Sequence, residues 1–156
     1  MKHLVILLCG TLFLSCASFQ PKSFPESVMK DKLLTLDRDS ITLKEILDKH
    51  PNQSKFIQIF ASYCPVSQDS FDDVLEFQKQ HPEKAYIFLS VDHGYHDWKR
   101  GLEYVTPKGD FYFIPEKDKG VLGQFLKIKS IPRFINVGKE NKIEVFKTSK
   151  VSDKLQ

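Results

Sequence analysis

The chain has 156 residues, of which 41% are hydrophobic and 13 are Phe, so it is long and apolar enough to bury one core and is not intrinsically disordered. Its formal net charge is +3, and lysines alternate with acidic residues, as in the run 117–119. This mixing predicts a solvated surface and no nucleic-acid-binding face. No glycine-rich phosphate loop is present in the sequence, and we predict no cofactor.

The first 16 residues have the features of an export signal. Lys2 provides the positive start, and Leu4 to Leu14 form an apolar core that is too short to span a bilayer. The run 12–16, Leu-Phe-Leu-Ser-Cys, resembles the lipobox of bacterial lipoproteins, although Phe13 replaces the usual Leu. The resemblance implies that Cys16 is acylated and anchors the mature protein to a membrane. An ordinary cleaved signal is the alternative.

We divide the remainder into three parts. Residues 17–30 begin with two prolines and two serines within 17–25, which predicts a tether without regular structure. Residues 31–150 form the predicted domain, and residues 151–156 are predicted to be a frayed tail. The sequence shows no second stretch that could span a membrane.

The first half of the domain contains two predicted strands and a short helix. Leu33 to Leu36 predicts a short strand that ends in a polar turn. Thr42 and Glu45 have the spacing of a capping box, so a helix is predicted from there to about His50. The stretch Lys55 to Ala61 is nearly all apolar and β-prone, which predicts a central strand buried on both faces.

The second half alternates helices with strands. A helix is predicted from Pro65, whose ring suits the first helical position, to about His81. The later predicted elements, in order, are a strand at 85–91, a polar loop at 92–96, a helix at 97–105, a short apolar run at 111–114, a helix at 118–127 and a hairpin formed by 133–137 and 142–146. This order predicts an α/β fold whose central strands are parallel.

Cys64 stands between the central strand and the helix that begins at Pro65. Unpaired N–H groups and the positive end of the helix dipole favour a thiolate at such a position. Because Cys9 lies in the export signal and Cys16 is assigned to the lipid, Cys64 is left unpaired in an exported protein. Such a cysteine is either buried and inert or retained for chemistry.

Two segments resemble one family. Phe60-Ala61-Ser62-Tyr63-Cys64 is similar to the strand-to-active-site segment of the thioredoxin-like superfamily, and Gly123 to Phe134 is similar to its later helix and cis-proline loop. The similarity is greatest to exported TlpA/ResA-type thiol–disulfide proteins, often grouped with AhpC/TSA-like domains, and extends from Leu33 to Phe146. It implies a thioredoxin-like fold with a central mixed sheet flanked by helices.

The resemblance also implies a substrate groove opposite the thiol. Pro132 matches the family's cis proline, which would leave the backbone of Ile131 free to pair with an extended partner. An ordinary residue at the start of an edge strand is the alternative for Pro132. Tyr63 replaces the usual Trp beside the groove. Arg133 would select acidic partners there, or it is an ordinary surface arginine.

The implied catalytic group is reduced to one thiol, because Ser67 occupies the place of the resolving cysteine. Cys64 would be the nucleophile, tuned by Pro65 and the helix start, and Ser67 could donate a hydrogen bond to the thiolate. His93, if it lies nearby, would favour the thiolate in its protonated form. The hypothesis is a membrane-tethered monothiol thiol–disulfide oxidoreductase whose partners are protein thiols and disulfides of the bacterial cell envelope.

Three alternatives remain open from the sequence. A redox-silent binding module would keep Cys64 buried in the same fold. A thiol peroxidase is less favoured, because Ala61 stands where that pattern has Thr or Ser. A metal site built from Cys64 and the histidines and aspartates of residues 92–97 is also less favoured than a solvated polar loop, so we predict no metal.

Overall fold

The structure is a computed structural model, and it describes residues 20–156. The predicted export signal and Cys16 lie outside this range. The strands of the described part are β1 Lys32–Leu34, β2 Ser40–Thr42, β3 Lys55–Phe60, β4 Ala85–Ser90, β5 Asp110–Phe113, β6 Arg133–Val137 and β7 Ile143–Thr148. Its α-helices are α1 Glu26–Met29, α2 Leu43–Asp48, α3 Pro65–Gln80, α4 Tyr95–Gly101 and α5 Val121–Leu126.

The strands form one mixed sheet in the order β2-β1-β5-β4-β3-β6-β7. The central pairs β3–β4 and β4–β5 are parallel, and the other pairs are antiparallel. Every residue of β3 and β4 is buried, as expected for central strands covered by helices on both faces. The predicted α/β class with a mixed, helix-flanked sheet is therefore confirmed.

The sheet separates two hydrophobic clusters, because alternate residues of a strand point to opposite faces. In β3, Phe56 and Phe60 belong to an aromatic cluster with Phe71 and Val74 of α3 and Trp98 of α4. On the other face, an aliphatic cluster contains Ile57, Ile59 and the inward side chains of α1, α2 and α5. The long helix α3 is thus held on the aromatic face, and its start is placed by β3.

The capping box of α2 is confirmed. Thr42 N donates to Glu45 Oε2 over 2.8 Å, and Glu45 N donates to Thr42 Oγ1 over 3.2 Å. Hydrogen bonding from Thr42 also lowers the pKa of the Glu45 carboxyl. Local sequence chemistry therefore marks this helix start, and a bond from Leu43 N to Asp31 O adds a contact with a neighbouring segment.

Several element boundaries differ from the sequence expectation. Strand β2 was missed, because three residues are too few to show a strand period and the strand is held by antiparallel pairing with β1. Helix α4 begins two residues before the predicted start and ends as a 3₁₀ turn at Leu102–Tyr104. Helix α5 begins three residues later than predicted.

None of the helices in residues 20–156 is long and apolar enough to cross a bilayer.

Both ends of the described chain are more ordered than the sequence suggested. Within the expected tether, Val28 of α1 is buried, and the ring centroids of Phe24 and Phe125 are 5.6 Å apart. In the expected tail, residues Asp153–Leu155 form a 3₁₀ turn, and Leu155 is fully buried in the aromatic cluster. Burial of a few apolar side chains on the domain overrides the polar composition of both segments.

The C-terminal turn is therefore expected to contribute to stability. Leu155→Ala should lower the free energy of unfolding by about 3 kcal/mol, because it removes a fully buried side chain and leaves a cavity. Leu36→Ala is the matched control, since Leu36 is 40% exposed, and it should cost less than about 1 kcal/mol. Urea denaturation of both variants measures the difference, and equal losses would contradict the burial of Leu155.

Candidate functional site

The segments that the sequence singled out meet at one edge of the sheet. Cys64 follows the carboxyl end of β3, and His93 follows the carboxyl end of the parallel strand β4. Strand β6 runs antiparallel to β3 with Arg133 opposite Ile59, so the Ile131–Pro132 loop that precedes β6 lies at the same edge. This edge is where α/β sheets place their reactive groups.

A cleft of about 240 Å³ opens at this edge, and we call it the first cleft. Its walls include His93, Ile131 and Tyr63, and Tyr63 is the residue that precedes Cys64. The other residues that line it are Val91, Lys117, Asp118, Ile128, Lys129 and Ser130. The structure thus brings the thiol loop, the loop after β4 and the proline loop around one opening.

Cys64 is a half-buried free cysteine at the N-cap of α3, directly before Pro65. Gln68 N makes the first hydrogen bond of the helix, 3.0 Å to Cys64 O. Within residues 20–156, the amides of Val66 and Ser67 donate to no group, and the thiol caps neither of them. These two amides are therefore available to a negative charge on the sulfur.

The loop that carries Cys64 is held by a buried carboxylate. Asp92 is fully buried at the end of β4, where Asp92 Oδ1 accepts from Ser62 N over 3.0 Å and from Ser62 Oγ over 2.7 Å. Asp92 Oδ2 accepts from Ser90 Oγ over 2.6 Å. Because these bonds join the residue two before Cys64 to the neighbouring strand, they set the position at which α3 begins.

Two further contacts hold the same loop. Gln68 Nε2 of α3 donates to Ser62 O over 2.7 Å, which ties the helix back to the loop that precedes it. Gly101, at the end of α4, lies so close that a Cβ there would come within 1.9 Å of Ser62 Oγ. Only a glycine therefore leaves room for the Ser62–Asp92 contact.

The predicted residue Ser67 lies on the inner side of the helix start. It is fully buried, and its hydroxyl makes no hydrogen bond within the described part of the chain, so a bond to the thiol is absent in this state. Nearby, Gln58 Nε2 donates to Ser70 Oγ, and Ser70 Oγ donates to Ser67 O. The polar side chains of this cluster are hydroxyls and an amide, which are very weak bases, so none of them would take a proton from the thiol.

The Ile131–Pro132 peptide bond is cis, which confirms the prediction for Pro132. Pro132 is buried, and Ile131 is half-buried at the wall of the first cleft. No hydrogen bond within residues 20–156 uses the N–H or the carbonyl of Ile131. The backbone of this residue is therefore free to pair with another chain.

Tyr63 and His93 form a stacked pair at the mouth of the first cleft. Their ring centroids are 4.3 Å apart, and the ring planes differ by 10°. Tyr63 is 52% exposed, so its outer face remains open to a partner. His93 therefore contacts Tyr63, which is the residue that precedes Cys64.

Arg133 differs from the expectation of a groove arginine. Its side chain is buried, and its guanidinium donates to Leu126 O at the end of α5. Burial also lowers the pKa of the guanidinium. The charge of Arg133 is thus directed toward a helix C-terminus, where cations are favoured, and not toward a partner.

The loop after β4 does not gather metal ligands. Among residues 20–156, no group of three or more His, Cys, Asp or Glu side chains is arranged to hold an ion. Asp92 points inward to its serine partners, whereas His93 and His96 are exposed. The histidines of this loop therefore lie at the surface, whereas its aspartate lies in the interior.

Sequence reasoning missed the structural role of Asp92 and the presence of Lys117 and Lys129 at the cleft. An acidic residue directly after a strand that is apolar on both faces was a usable signal for Asp92, because such a position is buried and needs donors. The two lysines carried no local signal, since they come from a turn and a loop that only the fold brings together.

No family model matches this chain, and no curated protein matches it. Several solved structures, in contrast, are similar to this chain. The chain is similar to the thioredoxin domain of a thiol-disulfide oxidoreductase from Bacteroides vulgatus, with a TM-score of 0.65 and 18% identity over 85% of this chain and 94% of that one. A thiol-disulfide oxidoreductase from Bacteroides fragilis matches with a TM-score of 0.67 and 14% identity, covering 83% and 94% of the two chains.

A thioredoxin-like protein from Aeropyrum pernix is similar as well, with a TM-score of 0.60 and 14% identity over 80% of this chain and 83% of that one. At these identities the likeness shows the fold alone. The chain therefore has the thioredoxin-like fold, and its activity has to be argued from its own site.

The contact between Ser62 and Asp92 should be essential for the position of the thiol loop. Asp92→Asn should lower the free energy of unfolding by about 2 kcal/mol, because an amide cannot accept from all the buried donors around it. It should also speed hydrogen exchange of the Ser62 amide. Asp118→Asn is the control, because Asp118 is exposed and has no hydrogen bond or ion pair within the described residues. Unchanged protection of Ser62 would contradict this role.

Proposed function

We propose that this chain is an exported, lipid-anchored thiol–disulfide oxidoreductase that works through one thiol, Cys64. The observation that carries the proposal is the position of Cys64 at the N-cap of α3, beside a cleft bordered by the cis-proline loop. The fold supports it, because similar solved structures include thiol-disulfide oxidoreductases. Acylation of Cys16 and export to the bacterial cell envelope remain part of the proposal, since that residue lies outside the described range.

The proposed reaction is a thiol–disulfide exchange. The Cys64 thiolate attacks one sulfur of a partner's disulfide, so that a new S–S bond joins Cys64 to that sulfur and the partner's S–S bond breaks. The other partner sulfur leaves as a thiolate and takes up a proton. The amides of Val66 and Ser67 stabilise the attacking thiolate, because they are unpaired and close to the N-cap.

Completion of the cycle requires a second thiol, which comes from another molecule or from the partner itself. In residues 20–156 Cys64 is the only cysteine, and Ser67 stands at the position where a second, resolving cysteine would be needed. A thiol of another protein or small molecule, or a free thiol of the partner itself, therefore attacks the partner sulfur that is bonded to Cys64. The bond between Cys64 and that sulfur breaks, Cys64 leaves as a thiolate, and the new disulfide joins the attacking thiol to that partner sulfur. This sequence suits a monothiol reductase or isomerase.

The proline loop supplies the binding surface in this proposal. An extended partner segment pairs with the free backbone groups of Ile131, as in strand addition. Tyr63 covers the same opening with an exposed aromatic face, stacked on His93. The Ser67 hydroxyl, which lacks a partner in the described structure, donates to the thiolate once the sulfur is charged.

The rival is a redox-silent module that binds a partner through the same groove. The half-buried state of Cys64 keeps this alternative relevant, because a shielded thiol would be inert. The two functions differ in one measurable property, the reactivity of Cys64 in the folded protein compared with the unfolded protein.

Cys64 is expected to react faster when the protein is folded. A Cys9→Ser/Cys16→Ser full-length variant leaves one thiol, and 4,4′-dithiodipyridine is a neutral probe disulfide. At neutral pH the folded protein should react about tenfold faster than the urea-unfolded protein, since an ordinary thiol is only a few per cent thiolate there. Further replacement by Cys64→Ser is the blank. Slower reaction in the folded state would favour the redox-silent module.

Ser67 is expected to lie within reach of the Cys64 sulfur. In the same background, a mixed disulfide of Cys64 with thionitrobenzoate should be stable, whereas Ser67→Cys should release the thionitrobenzoate without added thiol. The release should be at least about 100-fold faster, because the second thiol attacks within one molecule. Ser67→Ala is the control and should stay stable. Equal rates for the Cys and Ala variants would show that the two positions do not form a dithiol geometry.

A further inference from the structure

We propose that the partner segment engaged by Cys64 is acidic, with Asp or Glu residues flanking the cysteine that exchanges. This inference rests on the proposed function and adds the chemical class of the partner. It comes from the distribution of lysines around the cis-proline loop, a distribution that the sequence order does not reveal.

The first cleft carries two cations. Lys117 Nζ donates to His93 O over 2.7 Å, which holds the ammonium group at the wall and leaves two of its N–H groups free. Lys129 is exposed on the proline-loop side of the same cleft. Asp118 is the one carboxylate among the residues that line it, so cations outnumber anions.

A second cleft lies on the other side of the proline loop. It has a volume of about 380 Å³, and it shares Ser130 with the first cleft. Pro132 and the exposed Lys147 line it, together with Arg133, Thr148 and Ser149. Its lining contains no acidic side chain, so this opening is also cationic.

Within the described residues, the lysines of the two clefts lack acidic partners, as Lys108 and Lys139 also do, and what distinguishes them is their position beside the proline loop. No carboxylate of residues 20–156 lies within 4.0 Å of the ammonium groups of Lys117, Lys129 or Lys147. Away from the thiol, four lysines do form ion pairs, namely Lys30 with Glu26, Lys44 with Asp48, Lys79 with Glu76, and Lys142 with Glu140. Unneutralised positive charge is therefore present on both sides of the proline loop.

An extended segment that pairs with Ile131 would cross between the two clefts. Its residues on either side of the exchanging cysteine would approach Lys129 in one direction and Lys147 in the other. Acidic side chains at these places would be attracted to the lysines, whereas basic ones would be repelled. Because the lysines are exposed, this attraction should act mainly on the rate of association and should weaken as salt is added.

The test uses the full-length Cys9→Ser/Cys16→Ser protein and three peptides that differ only in the residues flanking a central cysteine. The flanking residues are Asp, Ser or Lys, and the cysteine carries a 2-thiopyridyl disulfide. When Cys64 attacks the peptide sulfur, a peptide–Cys64 disulfide forms and 2-thiopyridone leaves, and its absorbance gives the rate. The acidic peptide should react about tenfold faster than the basic one at low salt, and the ratio should approach one at about 1 M salt.

Charge removal at the clefts should reduce this preference. Lys129→Gln/Lys147→Gln should lower the acidic-to-basic rate ratio by at least about threefold at low salt. Lys108→Gln/Lys139→Gln is the matched control, because it removes the same charge from the exposed surface at the opposite end of the sheet. That control should leave the ratio unchanged.

The outcomes separate the two proposals. If Cys64 fails to react with neutral 4,4′-dithiodipyridine in the folded protein, the proposed function fails. If it reacts with that probe but shows equal peptide rates, a preference for the basic peptide, or the same loss in both lysine pairs, the proposed function stands and the acidic partner is overturned.

Discussion

The buried carboxylate of Asp92 is the constraint on which the rest of the site depends. It accepts hydrogen bonds from the backbone and side chain of Ser62 and from Ser90, so it joins the ends of two neighbouring parallel strands. A carboxylate at such depth is tolerated only where donors surround it, and here the donors come from the loop that ends at the thiol. This cluster fixes the loop that leads to Cys64 and α3, and the pairing of β6 with β3 brings the proline loop to the same edge.

A single sulfur at this place has a restricted chemistry. Unpaired amides at the start of a helix favour negative charge nearby. The polar cluster of Gln58, Ser67 and Ser70, near the start of α3, is neutral and in part hydrogen-bonded within itself. In the proposed function the site makes a mixed disulfide, and residues 20–156 hold no second thiol to break it. Under the same proposal, the exposed groups around the cleft select the partners and the thiols that release them.

Much of the fold was predictable because its signals are local. The capping box of α2, the buried runs of β3 and β4, the proline start of α3 and the cis proline before β6 all agree with the structure. Strand β2 and the burial of Val28 and Leu155 were not predictable from local composition. Those features exist because neighbouring strands and core side chains hold short polar segments in place.

The amino-acid sequence by itself determined the class of fold and the placement of Cys64 at a helix start, since hydrophobic period and proline position are readable along the chain. Only the tertiary structure decided which charges line the two clefts beside the proline loop. It turned Arg133 inward to a helix end, and it brought Lys117, Lys129 and Lys147 from three separate segments to the proline loop. Which charged residues become neighbours depends on the order and register of the strands. The order of lysines and acidic residues along the chain does not reveal either.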